Sequence, residues 1–360
     1  MALLTKERIL ESIKVVKDPD LHRDIVSLGM VKDVKIDGGK VSVQVELTTP
    51  ACPLKEQIKQ DVQKAVGGLE GVQEVSVQMS SNVRQGPVLS TQGTPAGIRN
   101  VIAVASGKGG VGKTTVCVNL AVALARTGAR VGLMDGDIYG PNVPLMLGIP
   151  KDARPSVTPD ERLNPIEAYG LKTISMGLLV APETPMVWRG PMLHSAVTQF
   201  LQKVDWGELD YLFVDLPPGT GDVQLSLVQT VSVTGAVIVT TPQEVALMDV
   251  RKGIAMFQKT NVPILGIVEN MSSFICPHCR QETSIFSNGG GKEASEKLGV
   301  PFLGEIPIDP RIREGADAGR PVVITQPDSE AAKQFVQVAG ILAQQVSIVD
   351  VLGSTSWKKP

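Results

Sequence analysis

Five short, almost uninterrupted apolar runs constrain the fold of this chain more than any other feature. They are VIAVAS (101–106), RVGLMD (130–135), DYLFVDL (210–216), GAVIVTT (235–241) and ILGIVEN (264–270). Strands buried on both faces have this composition, and helical patterns separate most of the runs. Alternation of buried strands with helices predicts a parallel sheet with right-handed crossovers. The sequence therefore predicts an α/β fold.

The polar segments that follow these runs point to one edge of the predicted sheet. Ligands of such sheets bind outside the carboxyl ends of the strands. Here those ends lead into SGKGG, DGDIYGPN, DLPPGTGD, TPQE and ENMS. We therefore expect the functional residues of this part of the chain to gather at a single edge.

A smaller unit of different character precedes the sheet. Its pattern predicts, in order, a helix, two strands, a helix and a strand, over residues 5–17, 30–36, 40–47, 53–66 and 71–78. The stretch over residues 80–100 is rich in Ser, Gln, Gly and Pro and lacks periodicity, which is typical of a flexible linker. The predicted organisation is a small α+β domain, a linker, a parallel-sheet domain and a tail, over residues 1–79, 80–98, 99–349 and 350–360.

Composition and charge argue against several classes of function. The 360 residues carry a net charge of −2, so no broad positive surface for nucleic acid is expected. No apolar stretch reaches the roughly 18 residues that a membrane span requires. Four cysteines are too few for a disulfide framework in a chain of this length. We expect a cytoplasmic protein that binds neither nucleic acid nor a membrane.

The first polar segment contains a complete phosphate-binding motif. The pattern G-x-x-x-x-G-K-S/T runs from Gly107 to Thr114, between a predicted strand and a predicted helix. Glycines let backbone amides close around phosphate oxygens, and the helix N-terminus adds positive potential. We expect Lys113 to neutralise the β- and γ-phosphates and the Thr114 hydroxyl to hold Mg²⁺. The predicted ATP-binding residues of this loop are Gly107, Lys108, Gly109, Gly110, Val111, Gly112, Lys113, Thr114 and Thr115.

Two acidic segments complete the predicted nucleotide site. Asp215, the first residue of DLPPGTGD, follows the apolar run YLFV, which is the usual place of an acid that binds Mg²⁺ through water. Asp137, in DGD, has a position from which it can orient or deprotonate an attacking water. Gly219 and Gly221 suit a loop that moves when the γ-phosphate leaves. Together these motifs predict a parallel-sheet P-loop NTPase domain behind the small α+β domain.

Several motifs together resemble a known family. GKGGVGKTT, DGDIYGPN and DLPPGTGD are similar to those of the deviant Walker A ATPases, the MinD, ParA and nitrogenase iron-protein class. Within that class, GPN, DLPPGTGD and ENMSSFICPHC resemble the Mrp/ApbC branch, which comprises ATP-binding iron–sulfur cluster carriers. The resemblance covers residues from about 98 to 340. The segments DIVSLGMV and LTTPACPLK also resemble the small domain fused to many Mrp proteins.

The resemblance implies roles that spacing alone does not reveal. The lysine after the first glycine of this family reaches the partner's nucleotide across a dimer interface, and Lys108 stands in that position. It would act in trans on the γ-phosphate, as an arginine finger does, so the expected active form is a homodimer. Asn270 resembles the family's adenine-reading asparagine. Pro307 and Asp309 fall in IPIDPRIRE, which resembles the loop that closes over the base.

Cys276 and Cys279 form a C-P-H-C motif that supplies only half of a usual ligand set. The usual number of four ligands is reached if two chains each donate both thiolates to a [4Fe–4S] cluster between them. A zinc knuckle that also uses His278, or a redox dithiol, remains an alternative. Cys117, on the predicted phosphate-loop helix, is expected in the core. Cys52 is either a reactive thiol at a helix N-terminus or a half-buried structural residue.

These features lead to one predicted function and two alternatives. The prediction is a homodimeric ATPase that binds an iron–sulfur cluster and transfers it to apo iron–sulfur proteins, with cluster-assembly scaffolds as further partners. Its expected cofactors are ATP, Mg²⁺ and the [4Fe–4S] cluster. One alternative is an ATP-dependent positioning or partition ATPase without a cluster. The other is a cluster-free regulator that uses ATP as a switch.

Overall fold

The chain divides into two compact units, Met1–Arg84 and Gln85–Pro360. The structure is a computed structural model. It describes residues 4–19, 21, 23–86, 97–137, 140–179, 190–219, 224, 232–276, 278–279 and 281–352. Most of the predicted linker and most of the predicted tail lie outside the described residues. None of the described helices is long and apolar enough to cross a membrane.

The first unit is a three-stranded sheet with two helices. Its elements are α1 (Lys6–Ile13), β1 (Val31–Asp37), β2 (Lys40–Leu47), α2 (Lys55–Gly67) and β3 (Glu74–Ser81). β1 pairs with β2 antiparallel and β2 with β3 parallel. Alternate valines of β2 point into a core that the apolar faces of α1 and α2 complete. The predicted order of helices and strands is confirmed.

The second unit is built on a nine-stranded sheet, counted over the described residues. Its strands are β4 (Ile98–Ala105), β5 (Val131–Asp135), β6 (Ile166–Ala168), β7 (Leu171–Ser175), β8 (Leu209–Asp215), β9 (Gly235–Thr240), β10 (Ile264–Ile275), β11 (Glu282–Thr283) and β12 (Phe302–Ile308). They lie in the order β11-β10-β9-β4-β8-β5-β7-β6, and β12 pairs with β10. The strands from β10 to β7 run parallel, which confirms the predicted parallel α/β fold.

Helices of different lengths connect and cover these strands. They are α3 (Lys113–Arg126), α4 (Val143–Met146), α5 (Gly190–Lys203), α6 (Glu244–Lys259), α7 (Gly290–Leu298), α8 (Pro310–Asp317), α9 (Val322–Thr325) and α10 (Glu330–Leu352). The central strands β5, β8 and β9 are buried at every position. α3 is almost as apolar, and Cys117 on it is fully buried, as predicted. The predicted site residues of this unit therefore follow rigid, buried elements.

Two segments differ from the expectation. β10 does not end at Asn270 but continues to Ile275, through a register shift against β12 between Asn270 and Phe274. The segment IPIDPRIRE is not a loop throughout, because its first residues belong to β12 and α8 begins at Pro310. Pro307 is tolerated there because, among the described strands, β12 pairs with β10 alone.

Candidate functional site

The phosphate loop lies between the end of β4 and the start of α3. Gly110 and Gly112 have φ angles of +82° and +79°, in the left-handed region that glycine adopts without cost. Gly107 is needed for space, since a Cβ there would lie 2.5 Å from Cβ of Asp249 on α6. The loop therefore depends on its glycines for conformation and for close packing against α6.

A buried ion pair joins the phosphate-loop helix to the end of β8. Lys113 Nζ donates to Asp215 Oδ1 at 2.6 Å, and the Thr114 hydroxyl donates to Oδ2 at 2.7 Å. The Lys113 and Asp215 side chains are 6% and 0% exposed. A buried carboxylate is tolerable only when its charge and lone pairs are compensated, as they are here. The structure thus brings together Lys113, Thr114 and Asp215, three residues predicted to hold phosphate and Mg²⁺.

The two aspartates of the DGD segment lie in different environments. Asp135 Oδ2 accepts hydrogen bonds from the Ser175 hydroxyl at 3.0 Å and from the Val143 N–H at 3.3 Å. Burial, followed by the nearby charge of Asp215, raises the pKa of Asp135 to about 8. Asp137 is less enclosed, and its Oδ2 lies 4.0 Å from Lys113 Nζ. Asp135 therefore anchors the segment, while Asp137 lies beside the phosphate-binding lysine.

The loop after β8 is tied to the phosphate loop by its backbone. The Gly219 N–H donates to the Ser106 carbonyl at 2.9 Å, and Gly219 has a φ of +102°. The Gly136 N–H donates to the Asp215 carbonyl at 2.8 Å, so the DGD segment joins the same network. Gly221, the second glycine of the loop that the sequence predicts to move when the γ-phosphate leaves, lies outside the described residues.

Lys108 is the predicted trans-acting lysine, and it differs from Lys113 in its surroundings. It is half-buried, and within the described part of the chain it forms no salt bridge. Its carbonyl accepts the Ser106 hydroxyl at 3.0 Å, which fixes the backbone beneath it. Lys113 is thus held inside its own chain, whereas the Lys108 ammonium is left for another contact.

The predicted adenine residues do not form one cluster of available polar groups. Asn270 is 7% exposed, and its Nδ2 donates to the Val111 carbonyl at 2.9 Å, so it contacts the phosphate loop. Asp309 caps α8 by accepting the Arg311 N–H at 2.9 Å, and it pairs with the Arg311 guanidinium. Burial raises the pKa of Asp309, but hydrogen bonds from Arg311 outweigh it and leave a net lowering. Pro307 lies two residues earlier in β12.

The cysteine turn, Cys276 to Cys279, follows directly on the extended part of β10. Cys276 is half-buried and Cys279 is exposed, and the Cys276 N–H donates to the Gln281 carbonyl at 3.0 Å. Hydrogen bonds from the backbone of Cys279 and of His278 lower the pKa of the Cys276 thiol. Thiolates are the ligands that zinc and iron–sulfur clusters prefer. The turn therefore favours the metal-binding form of its first cysteine.

The described residues of one chain do not complete a metal site around the cysteine turn. Among the described residues, no group of three or more His, Cys, Asp or Glu side chains could hold a metal ion. His278 therefore does not complete a three-ligand zinc site with the two cysteines of its own chain. Burial raises the pKa of Cys117 well above its ordinary value, so that thiol is a poor ligand. Cys52 is half-buried in the first unit.

Two buried residues of the site were missed by the sequence analysis. Ser175 ends β7 as many polar residues end a strand. Its spacing from other residues of the sequence does not identify it as the partner of Asp135. Glu269 precedes Asn270 and is fully buried, with both carboxylate oxygens accepting backbone N–H groups. The sequence could have indicated Glu269, because a glutamate at the end of a buried apolar run needs partners for its charge.

The family comparisons cover both units. The model of the NUBPL iron-transfer P-loop NTPases matches residues 97–343. The model described as an iron-sulfur cluster assembly protein matches residues 6–77. An iron-sulfur cluster carrier protein of Deinococcus radiodurans is 52% identical over 342 residues, which cover 95% of this chain and 96% of that protein.

Solved structures agree with the fold of the second unit. A nucleotide-binding protein from Archaeoglobus fulgidus in complex with ADP is 41% identical, with a TM-score of 0.55, over 62% of this chain and 87% of that one. The cell division ATPase MinD of Pyrococcus furiosus is 28% identical, with a TM-score of 0.52, over 68% of this chain and 98% of that one. The predicted resemblance to the MinD and ParA class is confirmed.

Proposed function

We propose that this chain, which belongs to the family of NUBPL iron-transfer P-loop NTPases, binds and hydrolyses ATP, carries an iron–sulfur cluster and transfers it to apoproteins. One observation carries the proposal. β10 contacts the phosphate loop through Asn270 and leads, six residues later, into Cys276. A nucleotide site and a pair of thiols therefore share one strand, an arrangement that a positioning ATPase without a cluster would not need.

The proposed nucleotide site uses side chains that the fold already holds together. Lys113 exchanges its contact with Asp215 for the β- and γ-phosphates, and the backbone amides from Gly107 to Thr115 surround the phosphates. Thr114 and Asp215 offer hard oxygen ligands only 2.7 Å apart, which suits Mg²⁺. When bound, Mg²⁺ would neutralise phosphate charge. In this proposal, Asn270, Pro307 and Asp309 contact the adenine base.

Hydrolysis in this proposal needs two further groups. Asp137, near Lys113 but outside its ion pair with Asp215, orients the attacking water and takes its proton. Lys108 of a second chain stabilises the charge that develops on the γ-phosphate. Its lack of a salt bridge in the described part of its own chain supports this role. Turnover is then coupled to dimerisation.

The cluster is the cargo, and its ligands come from two chains. Cys276 and Cys279 of each protomer bind one [4Fe–4S] cluster, because the described residues of a single chain offer no third ligand beside them. Thiolates that lie at the surface can exchange their cluster with the cysteines of an apoprotein or of an assembly scaffold. Cys117, Cys276 and Cys279 carry free thiols, which suits a protein of the reducing cytoplasm.

Iron and acid-labile sulfide, measured after anaerobic purification, test the proposal. The wild-type protein should contain both and should absorb in the visible range. Cys276→Ala or Cys279→Ala should remove both elements, while the matched control Cys52→Ala should retain them. A colourless wild-type protein with stoichiometric zinc, or one without metal that still hydrolyses ATP, would refute the cluster-carrier role.

A further inference from the structure

Three consecutive residues of β10 lie between the phosphate loop and the chain that returns from the cysteine turn. Glu269 binds the chain where it returns from the cysteine turn, Asn270 contacts the phosphate loop, and Met271 has a left-handed backbone. We infer that Glu269 and Met271 are positioning residues through which a nucleotide at the phosphate loop changes the geometry of the cysteine turn. This inference rests on the proposed function.

Glu269 holds the far end of the cysteine segment. Its side chain is fully buried, and its Oε1 accepts the Gly289 N–H at 3.0 Å, while Oε2 accepts the Gly291 N–H. These glycines open α7, where a carboxylate is favoured by the helix dipole. The chain therefore leaves β10 after Ile275 and, at Gly289, contacts a side chain of the same strand again.

Asn270 joins this strand to the nucleotide side. Its Nδ2 donates to the Val111 carbonyl, and it packs so closely against Gly112 that no Cβ would fit there. Backbone amides of the same loop receive the phosphates in the proposed function. A shift of the loop on phosphate binding is therefore expected to displace Asn270, because its side chain lies directly against Gly112 and Val111.

Met271 lies where β10 departs from regular strand geometry and can change its conformation. Its φ of +59° is unusual for a residue with a side chain, and the pairing of β10 with β12 shifts register at the same place. A Cβ at Gly112 would lie 3.7 Å from Cε of Met271, so the side chain also packs at the loop. Cys276 follows five residues later.

These contacts provide a physical route that couples the nucleotide site to the cysteine turn. A ligand shifts a conformational equilibrium only through contacts that differ between the two states. Here the nucleotide changes the contact of Asn270 with the loop, the left-handed bulge at Met271 absorbs or releases the displacement, and Glu269 fixes the opposite end of the segment. The turn between these two anchors then alters the exposure of its thiols.

Alkylation of the two thiols by iodoacetamide tests the inference on reduced, cluster-free full-length protein. Peptide-resolved mass spectrometry gives the rates at Cys276 and Cys279, with and without Mg²⁺ and ADP or a non-hydrolysable ATP analogue. We expect nucleotide to change the wild-type rate about fivefold, within the usual range of coupling between sites. Calorimetry confirms in each case that nucleotide is bound.

Two variants address the two residues separately. Glu269→Gln keeps one acceptor oxygen but turns an NH₂ group toward the second backbone N–H, so one anchor bond is lost. Met271→Gly removes the contact with Gly112 and the cost of the left-handed backbone. Both should bind nucleotide yet lose most of the nucleotide effect on the thiols.

Matched controls separate coupling from general damage. Glu305→Gln removes an exposed carboxylate from the residue paired with Glu269 on β12, and Asn261→Gly changes another left-handed residue, at the end of α6. Both should keep the wild-type nucleotide effect. Thermal melting identifies a misfolded variant, and if Glu269→Gln does not fold, Met271→Gly alone decides.

The inference is overturned if nucleotide leaves the wild-type thiol rates unchanged, or if folded Glu269→Gln and Met271→Gly both respond as the wild type does. Neither result touches the proposed function, because iron and sulfide content is measured independently of nucleotide. Conversely, absence of iron would refute the carrier role while the thiol experiment still reports whether the two sites communicate.

Discussion

The phosphate loop and the cysteine turn both follow strands of the same sheet, yet they are built in opposite ways. Lys113 and Asp215 are 6% and 0% exposed and are joined at 2.6 Å. Cys279 is exposed, Cys276 is half-buried, and the described residues add no third ligand. The first site is preorganised by internal partners, whereas the second presents half of a ligand set outward. Such a difference suits a bound nucleotide and a transferable cargo.

Removal of Lys113 should have the largest effect on ATP binding and on stability, because it breaks the buried ion pair of the nucleotide site. Lys113→Ala should abolish ATP binding, and it leaves the Asp215 carboxylate buried without its counter-charge. Loss of one partner of a buried ion pair typically costs about 3–5 kcal/mol of unfolding free energy. Calorimetric titration and denaturant unfolding measure both effects. Retained ATP affinity with unchanged stability would show that the buried pair is not the phosphate site.

Lys108 tests whether the internally paired site is also complete for catalysis. Lys108→Ala should bind ATP normally but lose turnover by about 10³-fold, the scale of a missing charge supplied in trans. Steady-state ATPase assays and calorimetry separate the two quantities. Mixing Lys108→Ala with an Asp137→Asn chain should restore partial activity if the lysine acts across an interface. An unchanged hydrolysis rate in Lys108→Ala would rule the trans role out.

Asp137 should affect the rate less than Lys108 does. Asp137→Asn removes the group proposed to take a proton from water, a contribution of about 10²-fold or more. ATP affinity should change little, because Asp137 is not proposed to contact the phosphates. Parallel measurement of kcat and of the dissociation constant checks this separation. An equal loss in both would indicate that Asp137 holds the loop instead.

Asp135 should leave ATP binding and turnover largely unaffected and should act on the pH dependence of stability. Burial raises its pKa from 3.8 to about 8 in the folded chain, so the folded state keeps a proton that the unfolded state releases. Its contribution to stability is complete below about pH 4 and is lost as the pH rises toward 8. Asp135→Asn should flatten the unfolding free energy across this window. An unaltered slope would mean that Asp135 is ionised when folded.

Much of the nucleotide site could be predicted from the sequence, because buried parallel strands and the phosphate loop have strong local patterns. Asp215 and Asp137 follow strands whose apolar runs fix where each strand ends. The extension of β10 past Asn270 could not be predicted, since methionine rarely adopts a left-handed backbone. β12 was missed because it contains Pro307, and the Ser175–Asp135 bond joins residues forty positions apart.

The cysteine pair could be predicted from the sequence, but the contacts that surround it could not. The spacing of the C-P-H-C motif alone predicts that Cys276 and Cys279 are ligands. That Cys276 accepts backbone hydrogen bonds, and that Glu269 holds the returning chain at Gly289, depends on the fold of residues 270–291. Such contacts follow from tertiary packing, which local patterns do not encode.

Native mass spectrometry of the anaerobically reconstituted protein tests the central claim most directly, because it reports iron content and chain number in one measurement. Two chains that each supply two thiolates should appear as a dimer with one four-iron, four-sulfur cluster, while nucleotide should bind to each chain separately. Chelation of the iron should return the dimer toward monomer, since a ligand that bridges two chains stabilises their association. A monomer that holds a complete four-iron cluster would contradict the account.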